Sequence, residues 1–145
     1  MTLAAAVRAA VGASRSIEDR RAGREPSAQE PEDVARADLA ALCDEVSTLV
    51  VRLRLHAVAA APTPETAVLL AFEDLTLVED LGRAVRRAHQ KLLSLYPAVP
   101  EDVVEEARRL AVVAGGEVET GHPALGDLAR RTAAWLGDVQ ETLGD

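Results

Sequence analysis

Residues 56–70 read HAVAAAPTPETAVLL, and the two prolines in this stretch separate one long helical pattern into two. Proline has no amide hydrogen to donate and disfavours helical backbone at the residue before it, so helices seldom continue through it. Pro64 followed by Glu65 is typical of a first helical turn. The sequence therefore predicts helices over residues 31–61 and 64–96, folded back on each other as an αα-hairpin.

Apolar residues recur at spacings of three and four on both sides of this break, as they do along one face of a helix. The first stripe consists of Leu39, Leu42, Val46, Leu49 and Leu53. The second, broader stripe consists of Val68, Phe72, Leu75, Val78, Val85, Leu92 and Leu95. We expect the two stripes to face each other and to form the apolar seam of the hairpin.

Two shorter amphipathic helices are predicted after the hairpin, each introduced by a proline. The third helix covers residues 101–115 and is expected to end at the Gly115-Gly116 pair, and the fourth covers residues 123–143. Four amphipathic helices with short connections most simply form an all-α, antiparallel four-helix bundle, here with a long first pair and a short second pair. We assign residues 31–145 to this bundle domain.

Charged residues support the antiparallel direction of the hairpin. In each long helix the acids lie mostly toward the N-terminus and the bases mostly toward the C-terminus, so antiparallel pairing sets opposite charges side by side, whereas parallel pairing sets like against like. If the turn centres on the two prolines, we expect Arg52 near Glu73 and Asp38 near Arg87. A single exposed pair contributes only about 0.2–1 kcal/mol, so such pairs select the register more than they stabilise it.

The first 30 residues differ in composition from the rest of the chain. Residues 1–21 are rich in alanine and are predicted to form an amphipathic helix. Residues 22–30 contain prolines and polar residues without periodicity, which is typical of a flexible linker. One version of the function therefore makes the N-terminal helix a docking or targeting peptide on a tether.

Overall charge and cysteine content restrict the class of protein. The formal net charge is −8, which argues against a general nucleic-acid binder, because phosphate contacts need clustered positive charge. The one cysteine, Cys43, excludes an intramolecular disulfide, and its position beside Leu42 predicts a buried thiol. No apolar run approaches the roughly 20 residues that a membrane span requires. We expect a cytoplasmic protein, and the excess of arginine over lysine suggests a GC-rich bacterial genome.

The acidic residues and histidines do not form a recognisable catalytic or metal-binding motif. Di-metal sites in helical bundles need Glu-x-x-His pairs on two helices, and the sequence does not contain two such pairs. Ser47 and Ser94 have no Gly-x-Ser-x-Gly turn around them. The Gly115-Gly116 pair lacks the strand and the lysine of a phosphate-binding loop. We therefore predict a protein that is not an enzyme, with no catalytic, cofactor-binding or metal-binding residues.

A surplus of apolar residues near the break indicates where a partner would bind. The first long helix carries a second apolar stripe on a different face, and further leucines follow the break. These predicted partner-binding residues are Val51, Leu55, Val58, Leu69, Leu70 and Leu77. The two short helices would cover this surface in one interpretation. In the favoured one, part of it faces another subunit or a partner protein, because a helix that is apolar nearly all round is buried on more than one side. The chain is then an interaction or assembly module, either a homo-oligomer or a subunit of a heteromeric complex.

A basic cluster in the second long helix supports an alternative hypothesis, in which the protein contacts nucleic acid. Its possible contacts to an anion or to nucleic acid are Arg83, Arg86, Arg87 and Lys91. A small helical subunit of a nucleoprotein complex would use Arg83, Arg86 and Arg87 against RNA or DNA. The competing interpretation is that acids elsewhere in the hairpin already neutralise these cations.

Overall fold

The computed structural model describes residues 30–144, and these residues form helices without any strand. The helices are α1 (Glu30–Ala57), α2 (Pro64–Leu95), α3 (Glu101–Thr120) and α4 (Leu125–Gly144). α1 packs against α2 and α4, α2 also packs against α3, and α3 contacts α4, so the helices close a ring. The predicted all-α helical bundle is confirmed. The predicted N-terminal helix over residues 1–21 and most of the predicted linker lie outside the described residues.

The start of α2 has the residues that are expected at the beginning of a helix. The hydroxyl of Thr63 accepts a hydrogen bond from the backbone N–H of Thr66 at 3.1 Å, and Pro64 occupies the first turn. A capping hydroxyl of this kind satisfies a donor that the helix itself cannot pair, and proline at the first position loses no internal hydrogen bond. The helix therefore begins at Pro64 as predicted, whereas α1 ends at Ala57, four residues earlier than the predicted bound of 61.

The predicted end of the third helix at Gly115-Gly116 is wrong, because α3 continues through both glycines to Thr120. Val118, which lies beyond them, packs against the core, and this burial offsets the cost of glycine in a helix. The residue that ends α3 is Gly121, whose backbone is left-handed with φ of 73° and whose N–H bonds to carbonyls of the last turn. Such a conformation favours glycine because it has no Cβ.

The distance between neighbouring helices differs on the two sides of the core. Between α2 and α3 the helices approach closely, because a Cβ built on Gly82 would lie only 3.3 Å from the Cβ of Ala114. Between α3 and α4 the buried indole of Trp135 fills the gap, and its Nε1 donates to the Val103 carbonyl oxygen at 3.0 Å. Small residues therefore set one helix pair close together, and the largest side chain sets the other apart.

Ion pairs between α1 and α2 confirm their antiparallel direction but not the predicted register. Asp38 pairs with Lys91 at 3.1 Å, one turn further along α2 than the expected partner, Arg87. Arg87 pairs instead with Glu45 at 2.9 Å. His56, near the end of α1, lies 2.7 Å from Asp74, ten residues after the start of α2. The predicted pairing of Asp38 with Arg87 is wrong because α1 ends at Ala57 and the non-helical residues 58–63 make the connection, so the end of α1 lies level with Glu73 and not with the start of α2.

This register leaves the start of α2 beyond the rest of the bundle. Its first two and a half turns extend past the end of α1 by roughly 14 Å, at about 1.5 Å per residue. α3 ends six residues after Ala114, so the contact of Ala114 with Gly82 puts the end of α3 level with Thr76. Val68 and Phe72, which were predicted for the seam of the hairpin, lie beyond that point and are exposed. That part of the seam prediction is wrong.

Candidate partner-binding surface

Most of the exposed large apolar side chains in the described part of the chain lie at one end of the hairpin. Ten such side chains are exposed among residues 31–144, and six of them belong to this end. We call these six the hairpin tip: Val51 (53% exposed), Leu55 (64%), Val58 (82%), Val68 (56%), Leu69 (62%) and Phe72 (67%). The remaining four, Val34, Leu93, Tyr96 and Val112, lie elsewhere on the bundle. The concentration at the tip is therefore not the ordinary scatter of surface leucines and valines.

Helical geometry explains why the α1 part of the tip is exposed. Leu53 is fully buried in the core, and Leu55, two residues later, lies on the far side of the same helix. Val51 shares that outer face at helical spacing, and Val58 directly follows the last residue of α1. Neither short helix covers this face, so the interpretation in which they bury the second apolar stripe is not what the fold shows.

The predicted partner-binding residues on α2 have three different environments. Leu69 is exposed at the tip, Leu70 is partly buried, and Leu77 is buried in the core with 6% of its surface exposed. Leu77 therefore stabilises the bundle and is not available to a partner. Sequence reasoning missed Val68 and Phe72 as surface residues because it assigned them to the seam. The length difference between α2 and α3 was the signal that could have identified them.

A shallow groove of about 410 Å³ runs between α1 and α2 beside the tip. Its lining residues are Arg52, His56, Phe72, Glu73, Thr76, Leu77 and Asp80. The Nδ1 atom of His56 lies 2.7 Å from Asp74 Oδ1, and its Nε2 atom lies 3.8 Å from Glu73 Oε2. These contacts hold the imidazole against α2 and fix the two helices of the hairpin at the edge of the apolar surface.

Charged side chains border the tip on both helices. Arg52 and Arg54 on α1 are exposed and have no carboxylate within ion-pair distance among the described residues. On α2, Glu65 is exposed in the first turn, and the Glu73 side chain is 63% exposed with only the long contact to His56. The tip therefore combines exposed apolar side chains on both helices with arginines on α1 and glutamates on α2, and Arg52 and Glu73 lie in the groove between the two helices.

The basic cluster of α2 is largely engaged within the molecule. Three of its four cations have carboxylate partners: Arg83 with Asp80 at 2.6 Å, Arg87 with Glu45 at 2.9 Å and Lys91 with Asp38 at 3.1 Å. The fourth, Arg86, donates from Nε to the Gly82 carbonyl at 3.3 Å. These contacts bring acids of α1 and of α2 itself against the cluster.

The titratable groups with shifted pKa values lie away from the tip. Burial, and secondarily the charge of Asp44, raises the pKa of the Cys43 thiol to about 11. A hydrogen bond from Arg131 lowers the pKa of Glu106, whose carboxylate accepts two bonds from that guanidinium at 2.8 and 2.9 Å. A protonated, buried thiol and an interhelical ion pair both stabilise the fold. Among the described residues there is no group of three or more histidine, cysteine or acidic side chains placed to hold a metal ion.

Comparisons of this chain with protein-family models, with curated proteins and with solved structures find no match. Within residues 30–144, none of the helices is apolar enough over its length to cross a membrane. The function is therefore inferred from the surface of the molecule, and the hairpin tip is its most distinctive part.

Proposed function

We propose that this protein is a non-enzymatic interaction or assembly module that binds a protein partner through the hairpin tip. The observation that supports this proposal is the grouping of six exposed large apolar side chains at one end of the hairpin, three on or next to the outer face of α1 and three on the part of α2 that extends past α3. Such a grouping is unfavourable in water unless another surface covers it. We further propose a cytoplasmic location, on the basis of the net charge of −8 and the single, buried cysteine.

The size of the apolar surface fits this role. Six side chains exposed to this degree present on the order of 600 Å², at the upper end of the largest patches found on monomeric proteins. Protein interfaces typically bury about 800 Å² on each partner, with an apolar centre inside a polar border. Phe72 is the strongest candidate anchor, because aromatic side chains in the middle of an interface contribute disproportionately to affinity.

The alternative of a nucleoprotein subunit has less support. A phosphate backbone would have to compete with the carboxylates that already pair with Arg83, Arg87 and Lys91. The cluster therefore lacks the free positive charge that drives nucleic-acid binding through counterion release. We retain the apolar tip as the proposed site of interaction.

Site-specific photo-crosslinking in cells that produce the protein tests this proposal. A benzophenone amino acid replaces Phe72 at the tip or, as a matched control, Val112 on α3, which is exposed to nearly the same degree at 62%. We expect discrete protein adducts from position 72 and none from position 112. Adducts at both positions in equal amount, or at neither, would overturn the proposal.

A substitution supplies the complementary test. Leu55→Glu places a charge on the tip without touching the core, since the side chain is mostly exposed. We expect the adducts from position 72 to disappear, while the helical circular dichroism spectrum and the melting temperature stay unchanged. Adducts that persist in the Leu55→Glu background would show that the benzophenone reports chance proximity and not binding by the tip.

A further inference from the structure

We infer that the occupant of the hairpin tip is a second copy of this chain, related by a two-fold axis that sets α1 of each copy against α2 of the other. The inference rests on the proposed function and names its partner. It is drawn from the distribution of charge around the tip, from the area exposed there and from the local net charge.

The charged side chains at the tip are basic on α1 and acidic on the facing part of α2, so each helix is complementary in charge to the other and not to itself. Arg52 and Arg54 on α1 have no carboxylate partner among the described residues, and Glu65 and Glu73 on α2 have no arginine or lysine partner there. Two-fold symmetry repeats every contact. Packing α1 of each copy against α2 of the other therefore brings arginines beside glutamates at two places in the interface. Packing α1 against α1 would instead oppose like charges, which an interface of this kind selects against.

The exposed area is of the right order for a pair of identical tips. The roughly 600 Å² of apolar side chain on one copy, with the neighbouring charged side chains added, approaches the ~800 Å² per partner of a standard stable interface. An isologous contact buries the same patch on both copies, so one surface needs no separate complement elsewhere on the molecule.

Local charge permits this association even though the whole chain is strongly acidic. The net charge of −8 would make two copies repel each other over most of their surfaces. Residues 51–76 contribute only two arginines, Glu65, Glu73 and Asp74, so this segment is close to neutral. The net charge of this segment is −1, so most of the charge that makes two copies repel each other lies outside it.

Sedimentation velocity on the full chain, from about 1 to about 100 µM, measures the self-association directly. We expect a concentration-dependent monomer–dimer equilibrium for the wild type. Phe72→Glu is expected to raise the dimer dissociation constant by roughly thirtyfold or more, as for a central anchor of an interface. Val112→Glu, which adds the same charge at a similarly exposed position outside the tip, is expected to leave it unchanged. Equal weakening by both variants would overturn the inference.

Charge exchange tests the arrangement of the helices. The double variant Arg52→Glu, Arg54→Glu is expected to be monomeric, because each copy then opposes acids to acids. Adding Glu65→Arg and Glu73→Arg to the same chain restores opposite charges across the α1–α2 contact and is expected to restore the dimer. A chain with all four substitutions that stays as monomeric as the double variant would overturn this arrangement.

Failure of the second-copy inference is distinguishable from failure of the proposed function. A wild-type chain that stays monomeric at about 100 µM, while position 72 still yields adducts with a different protein, overturns the second copy and leaves the tip as an interaction site. A monomeric chain without adducts at position 72 overturns both. Circular dichroism on every variant verifies that the bundle is folded.

Discussion

Gly82 on α2 and Ala114 on α3 are in such close contact that a Cβ on Gly82 would lie 3.3 Å from the Cβ of Ala114. This contact sets the level of α3 along α2 and brings the two helices together more tightly than a larger pair of side chains would. It also determines how far α3 reaches along α2, and hence which part of α2 it leaves exposed.

Enlarging Gly82 should therefore destabilise the bundle. Gly82→Leu is expected to lower the free energy of unfolding by about 1–3 kcal/mol, because the extra side chain must push α2 and α3 apart. Urea denaturation followed by circular dichroism measures the change. Gly82→Ala is the milder control, since the gain in helix propensity partly offsets the tight contact. A Gly82→Leu variant as stable as the wild type would show that the spacing is not set here.

Alanine at the two glycines within α3 should have the opposite effect. No atom lies within 4 Å of a Cβ built on Gly115 or Gly116, and both residues are exposed inside a continuous helix. Each of Gly115→Ala and Gly116→Ala is expected to raise the free energy of unfolding by roughly 0.5–1 kcal/mol. Thermal unfolding monitored by circular dichroism checks this. Destabilisation by either change would contradict a helix that continues to Thr120.

Thr132 should gain stability when its hydroxyl is removed. The side chain is completely buried, and its Oγ1 atom has no hydrogen-bond partner among the described residues. Thr132→Val keeps the shape of the side chain and removes the unsatisfied group, so we expect a gain of about 1 kcal/mol in urea denaturation. Thr132→Ser keeps the hydroxyl, loses the methyl group and is expected to be less stable than the wild type. A loss of stability in Thr132→Val would mean that the hydroxyl is paired after all.

The ion pair between Glu106 and Arg131 should make stability depend on pH. The hydrogen bond from Arg131 lowers the pKa of Glu106 in the folded state below its usual value of 4.5, so the pair stabilises the fold above that pH. The contribution is lost as the pH falls through the folded-state pKa. We expect Glu106→Gln to cost up to about 1 kcal/mol at neutral pH and to approach the wild type in acid. Urea denaturation of both proteins at neutral and at acidic pH tests this. A difference in the free energy of unfolding between Glu106→Gln and the wild type that does not depend on pH would contradict the assignment.

Cys43 should be inert while the protein is folded. The thiol is 2% exposed, and burial raises its pKa to about 11, so little thiolate forms at mildly alkaline pH. Ellman's reagent is expected to leave the native thiol unmodified and to titrate one thiol per chain after unfolding in urea. Rapid labelling of the native protein would contradict this burial.

Sequence reasoning predicted the helices better than their limits. Prolines mark helix starts through a local chemical constraint, so the beginning of α2 at Pro64 was predictable from a few residues. The end of α3 was not, because Gly115 and Gly116 permit a helix as well as a turn, and the packing of Val118 decides between them. The left-handed residue that ends the helix, Gly121, is recognisable only once that packing is known.

Exposure at the tip was only partly predictable for a related reason. The periodicity of Leu55 and Phe72 shows that each helix has an apolar face, but not which neighbour covers it. That depends on the register, which the loop over residues 58–63 shifts by a turn, and on the reach of α3. Leu77, which lies level with the last turn of α3, is buried for this reason, while Leu69, about two turns earlier, is exposed.

The hairpin tip also separates two kinds of selection. Side chains such as Leu55 and Phe72 add little to folding, so substitutions there change what the molecule recognises at almost no cost in stability. Core residues below them, such as Leu53, are constrained by folding alone. The bundle therefore works as a support whose exposed end is free to diverge, and related chains would be expected to share the core while differing at the tip.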